Sequence, residues 1–140
     1  MKGLKGKIAI VTGAAKGLGK AMALRLAQEG TIVVAADVDH EALDAAVGEL
    51  VGAGYSAEGY TIDLTKVSQI DTMIEYIARK HGRIDFLVNN AGIQIRKWAT
   101  EFPEEDYDLL MDINLKSYYF ASRAAARYMK QQGGGAIVCT

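Results

Sequence analysis

The chain has 140 residues, half of them apolar and 24% charged, the balance of one globular domain with a core of its own. Sixteen basic and seventeen acidic side chains leave a net charge of -1, which argues against a dedicated binder of nucleic acid or other polyanions. A single cysteine, Cys139, rules out an intrachain disulfide and favours a cytosolic compartment; it cannot build a zinc site with His40 and His81 at these separations, and no apolar run approaches a membrane span.

Lys7 to Thr12, KIAIVT, reads as a buried strand, and a glycine-rich stretch follows at once. Leu18 to Glu29 then carries Leu18, Met22, Leu26 and Ala27 on one helical face, with Gly30 as its terminator. Thr31 to Ala36 is a second continuous apolar run, closed by Asp37. Glu41 to Val51 is a helix with Leu43, Val47 and Leu50 as its stripe, and Asp39 is placed to cap it. Tyr60 to Ile62 is a short third strand ending at Asp63. Val67 to His81 is helical through Ile70, Met73, Ile74 and Ile77, and Gly82 stops it. Ile84 to Val88 is the fourth strand. Pro103, Glu104 and Glu105 open a long helical stretch to about Lys130, with proline in the first turn and acids against the helix dipole. Gly133 to Gly135 break it, and Ala136 to Thr140 begins a fifth strand.

Strands that are apolar at every position are buried on both faces, and here they alternate with helices over short connections. That pattern predicts an α/β fold, a doubly wound parallel sheet with right-handed crossovers. An antiparallel α+β arrangement is the competitor, but its strands should alternate polar and apolar.

The turn Thr12-Gly13-Ala14-Ala15-Lys16-Gly17-Leu18-Gly19 lies between the first strand and the first helix. Gly13 allows a sharp exit from the strand, Gly17 lets the backbone approach a pyrophosphate, and Gly19 lets the helix pack close to the sheet. The helix start adds free N–H groups and positive potential. Asp37 follows Gly19 by eighteen residues, near the spacing at which a strand-end carboxylate accepts hydrogen bonds from an adenosine ribose. Asn89 and Asn90 end a buried strand, where unsatisfied amides are expensive, so they must serve a loop or a ligand.

Taken together, the TGxxxGxG spacing from Thr12 to Gly19, Asp37, the Asp63-Leu64 pair, NNAG from Asn89 to Gly92 and Asn114 resemble the short-chain dehydrogenase/reductase family. The motifs fall in the family's order and the resemblance runs from Lys7 to Thr140. It implies a Rossmann-type sheet in the order 3-2-1-4-5 and an oxidoreductase that interconverts a secondary alcohol and a ketone. It also implies a dinucleotide held by Gly13, Lys16, Gly17, Leu18 and Gly19 at the pyrophosphate and by Asp37 at the ribose. Asp63 and Leu64 would bracket the adenine, and Asn90, Ala91 and Gly92 would line the cofactor. Asn114 resembles the family's catalytic asparagine, whose carbonyl holds a water linked to the catalytic lysine.

The family's serine, tyrosine and lysine do not appear where the pattern needs them; the serine would fall two residues past Thr140. The chain is therefore expected to be an incomplete, catalytically silent cofactor-binding domain. Tyr76 and Lys80 have the spacing of the catalytic pair but precede the NNAG segment, the wrong order, so they are expected on an outer helix. Asp37 would repel a 2′-phosphate and favours NAD, whereas Lys16 stands where a basic residue accompanies NADP in this family. The carboxylate in contact with the ribose is the stronger influence, so NAD is expected.

The segment from Ile93 to Tyr107 is similar to the sugar-acid branch of the family, and Arg96 could fork onto a substrate carboxylate or stand free in water. A 3-oxoacyl reductase, and a module that binds NAD without catalysis, are the alternatives. Leu115, Tyr118, Tyr119, Ser122 and Met129 resemble the family's subunit-pairing surface, and the apolar fifth strand is an open edge, so a homo-oligomer is expected.

Overall fold

A computed structural model describes residues 3–140. Five parallel strands, β1 (Ile8–Thr12), β2 (Ile32–Asp37), β3 (Ala57–Thr61), β4 (Phe86–Asn89) and β5 (Ala136–Cys139), form one sheet in the order β3-β2-β1-β4-β5. The helices are α1 (Gly17–Gln28), α2 (His40–Gly52), α3 (Val67–His81), α4 (Glu104–Met111) and α5 (Ser117–Gln131). The doubly wound parallel sheet expected from the alternating pattern is the observed architecture.

Side chains of a strand alternate between its two faces, so one strand feeds two cores. Ile8, Ile10, Val34 and Leu87 pack with Ile70, Met73, Ile74 and Ile77 of α3 and with Ala121 and Ala125 of α5. Val11, Val33, Ala35 and Val88 pack on the other side with Ala23 and Ala27 of α1 and Leu43 and Leu50 of α2. The central strand β1 is buried at all five positions, as a run apolar throughout requires.

At the opposite end of the sheet from the glycine turn, Asp85 ties the two central strands together. Its Oδ2 accepts the Ile8 N–H at 2.9 Å, and its carboxylate also takes the Arg83 guanidinium and the Lys7 ammonium. Burial pushes this carboxyl up, but those donors outweigh it and hold it below the usual carboxylate value of 3.8.

Five local expectations need correction. The third strand begins at Ala57, three residues before the predicted Tyr60, and ends at Thr61. It is the sheet's edge and exposes Gly59 and Thr61, so it carries no apolar run to announce it. Leu18 is 65% exposed and belongs to the mouth of a cleft; Ala23 takes its place on the buried face of α1. Pro103 is the N-cap of α4 rather than a residue of its first turn. The long helical stretch is interrupted by a π-turn at Asp112–Lys116, and Met129, expected on a pairing surface, is buried.

Candidate functional site

A cleft of about 620 Å³ opens at the C-terminal ends of the strands, where doubly wound sheets bind ligands. Gly13, Lys16, Gly17, Leu18, Gly19, Asp37, Asp63, Leu64, Asn90, Ala91 and Gly92 all line it. Residues from four separate segments, spread over eighty positions of sequence, are thus brought to one concavity. Asn114 and Arg96 are not among the lining residues.

The glycines shape the wall. Gly13 leaves β1 at φ +65°, and a Cβ there would stand 2.8 Å from the Ala91 Cα. A Cβ on Gly19 would stand 2.5 Å from Asn90 Nδ2 and collide with the Gly13 carbonyl oxygen. Gly17, at φ +53°, has open space where its Cβ would be. Two glycines therefore let α1 sit directly on the loop after β4, and the third faces an empty volume.

The start of α1 is left electrostatically open. Lys16 occupies the N-cap without making a side-chain capping bond, and no acid stands in the first turn. The first-turn N–H groups of a helix have no intrahelical partner, so this end attracts an anion. By contrast, α2 is capped by Asp39, whose Oδ1 accepts the Ala42 N–H at 3.1 Å, and carries Glu41 in its first turn.

Asp37 ends β2 at the cleft wall. Its Oδ2 accepts the Ala15 N–H at 3.0 Å and its Oδ1 the Asp39 N–H at 3.1 Å. Each carboxylate oxygen accepts two hydrogen bonds, so one site per oxygen is left for a ligand. Asp63 accepts from Thr65 Oγ1 at 2.7 Å and from the Thr65 N–H at 3.0 Å, and these donors hold its carboxyl below the usual range.

The paired asparagines serve the loops. Asn89 donates to Ser122 Oγ at 3.0 Å, fastening β4 to α5. Asn90 donates to the Thr12 carbonyl at 3.0 Å and to that of Gly13 at 3.3 Å, fastening the β4 loop to the glycine turn. Thr12 is a positioning residue that the sequence reading missed. Its hydroxyl accepts the N–H groups of Asn90 and Ala91 and donates to the Val88 carbonyl, which aligns Ala91 and Gly92 along the cleft. A threonine before the first glycine was its only signal. Val38, Ile62, Thr65, Ile93, Leu109 and Ile113 also line the cleft without having been singled out.

Asn114 sits inside the π-turn, and its side chain brackets the Ile93 peptide. Nδ2 donates to the Ile93 carbonyl and Oδ1 accepts the Ile93 N–H, both at 2.9 Å. A Cβ on Gly92 would stand 3.3 Å from that Oδ1, so the small residue fits the clamp. Arg96 is exposed and has no hydrogen bond or ion pair among the described residues, whereas its neighbour Lys97 is paired with Asp106. Tyr76 is 44% exposed on α3, packs against Tyr60 and accepts from Lys80, away from the cleft. No cluster of ligating side chains suited to a metal exists among the described residues. Nor is any helix of these residues long and apolar enough to cross a membrane.

Comparison with known proteins gives concordant matches. The family model described as short chain dehydrogenase matches residues 7–140. A 3-oxoacyl-acyl-carrier-protein reductase of Thermotoga maritima is 41% identical over 135 residues, 96% of this chain and 55% of that protein. A 2-dehydro-3-deoxy-D-gluconate 5-dehydrogenase of Escherichia coli is 39% identical over 132 residues, 94% of this chain and 51% of that protein. An NAD+-bound xylitol dehydrogenase superposes with a TM-score of 0.93 at 35% identity, covering 99% of this chain and 54% of the other. A metagenomic short-chain oxidoreductase in complex with NADP gives 0.93 at 36% identity, covering 96% and 62%. The chain spans about half the length of the curated relatives it matches.

Proposed function

The chain belongs to the short-chain dehydrogenase family, and from that premise we propose that it is the dinucleotide-binding part of an oxidoreductase acting on CH–OH groups, with NAD as its cofactor. The observation that carries this reading is the convergence of the glycine turn, Asp37, Asp63 and the Asn90–Gly92 segment on one cleft. The residues fit the group. The open volume beside Gly17 and the uncapped start of α1 suit a pyrophosphate, and the free acceptor sites of Asp37 suit ribose hydroxyls.

In this reading Gly17, Leu18 and Gly19 offer backbone N–H groups to the pyrophosphate. Asp37 orients the ribose, Asp63 and Leu64 flank the adenine, and Asn90 to Gly92 form the floor. Asn114 fixes that floor by clamping Ile93, and the π-turn that holds it is a kind of insertion common at functional sites. The bound nicotinamide supplies a hydride acceptor or donor for the alcohol–ketone interconversion.

Turnover is not expected of these 140 residues alone. Their one Tyr-x-x-x-Lys pair, Tyr76 and Lys80, lies outside the cleft, and proton transfer to a carbonyl needs a group within reach of it. A sugar or sugar acid is the substrate class we favour; the similarity to a 3-oxoacyl reductase keeps an acyl substrate as the second reading. The free position of Arg96 outside the cleft gives the carboxylate-clamp role no support. The single exposed thiol of Cys139 accords with a cytoplasmic setting.

The test is a pair of titrations with NAD and NADP. NAD is expected to bind more tightly, and Asp37→Ala to cut that preference about tenfold by removing ribose hydrogen bonds and the repulsion of a 2′-phosphate. Equal affinities in the unsubstituted protein would refute the assignment.

A further inference from the structure

Lys16 is the only cation among the described residues that line the cleft, and it is already engaged. Its Nζ lies 2.6 Å from Asp39 Oδ2. The acceptor is fixed from two sides: Asp39 Oδ1 caps α2 at Ala42, and the Asp39 N–H is bonded to Asp37 Oδ1. A carboxylate so held needs no rearrangement to receive the ammonium. The neighbouring cation, Lys20, is paired with Glu49 at 2.7 Å, and Val38, beside Asp37 at the rim, is 69% exposed and uncharged. Two carboxylates and one ammonium leave the ribose end of the cleft with a net charge of -1 (Asp37, Asp39 and Lys16).

We propose that Asp39 is a specificity-determining residue: by holding Lys16 it withholds that ammonium from a 2′-phosphate and so strengthens the preference for the unphosphorylated dinucleotide. This rests on the nucleotide-binding reading above and deepens it. Asp37 acts on the ribose directly, whereas Asp39 acts through Lys16. The opposing influences of Lys16 and Asp37 are thereby reconciled, because the lysine's charge is spent on a carboxylate two residues beyond the ribose acid. The hydrogen bond and charge of Asp39 raise the lysine's pKa, so the ammonium stays protonated and paired.

The pair is exposed, and exposed pairs are worth little, so the effect is a tuning of about fivefold at low ionic strength that fades as salt screens it. The experiment is calorimetric titration of NAD and NADP into the unsubstituted protein, Asp39→Asn, Lys16→Ala and the double variant. Asparagine caps a helix as well as aspartate, so α2 is preserved; Asp39→Ser serves as a second capping replacement. Asp39→Asn is expected to tighten NADP relative to NAD about fivefold. Lys16→Ala alone should change the ratio little, and in the double variant it should cancel most of the gain. The proposal is overturned if Asp39→Asn and Asp39→Ser leave the ratio unchanged while NAD still binds. It is equally overturned if Lys16→Ala weakens NADP as much with Asp39 present as without it. Failure of the unsubstituted protein to bind either dinucleotide would remove the nucleotide reading itself, and this proposal with it.

Discussion

Gly19 shows how one missing side-chain atom sets the position of a whole helix. Its backbone lies against the Gly13 carbonyl and the Asn90 amide, so any Cβ forces α1 away from the β4 loop. Gly19→Ala is expected to destabilise the fold by about 2 kcal/mol, as overpacking of a tight contact does, and to weaken dinucleotide binding more than it lowers stability. Thermal melting alongside an NAD titration separates the two effects; an unchanged melting temperature and affinity would contradict the contact geometry. The spacing of Gly13, Gly17 and Gly19 was legible in the sequence because each position has its own steric reason. The partner of Gly19 was not, since Asn90 lies 71 positions away and only the folded chain brings its amide to the turn. Thr12 escaped notice for the same reason: a hydroxyl at a strand end looks ordinary until the two N–H groups it receives arrive from Asn90 and Ala91.

Among the elements, β1, β2, β4 and α3 were plain in the sequence, because buried strands leave unbroken apolar runs and α3 has a strong 3.6-residue stripe. The strand β3 was shortened in prediction because its start, Ala57-Glu58-Gly59, lies at the sheet edge and has little to bury. The π-turn around Asn114 was invisible, since neither α4 nor the turn itself fully buries a residue, which leaves no apolar stripe whose phase could show the extra residue. The seam between β1 and β4 yields a prediction from Asp85. Its carboxyl is held below 3.8 in the folded protein, so it stabilises the fold above that pH and loses this contribution as pH falls through the lowered value. The melting temperature is expected to stay level from neutral pH to about 5 and to fall below about 4. Asp85→Ala should cost about 2 kcal/mol at neutral pH, because the buried Ile8 N–H loses its acceptor, and should flatten the acid slope. A neutral-pH melting temperature unaltered by that substitution would show that the seam does not need the carboxylate.

At the scale of all the described residues, the five-stranded sheet ends on two unlike strands. The β3 side carries Glu58, which is paired with Lys80 and His81. The β5 side presents Ile137 at 36% and Val138 at 51% exposure, with no charge or proline in the strand. Sheets avoid such edges because they template pairing with another chain. Where no further strand covers β5, self-association of these 140 residues is expected at high micromolar concentration, and Val138→Lys is expected to reduce it. Sedimentation velocity on both proteins checks this, and a monomer throughout the concentration range in the unsubstituted chain would count against the edge.

The bonds from Asn90 to Thr12 and Gly13, and from Asp85 to Ile8, span 77 or 78 residues. A growing chain on the ribosome can pair β1 with β2 and dock α1 and α2 early, because those contacts are local. It cannot floor the cleft until Gly92 has cleared the exit tunnel. Nascent chains shorter than that hold a glycine turn with nothing beneath it, so the ligand has no complete site to meet until the fourth strand is inserted beside the first.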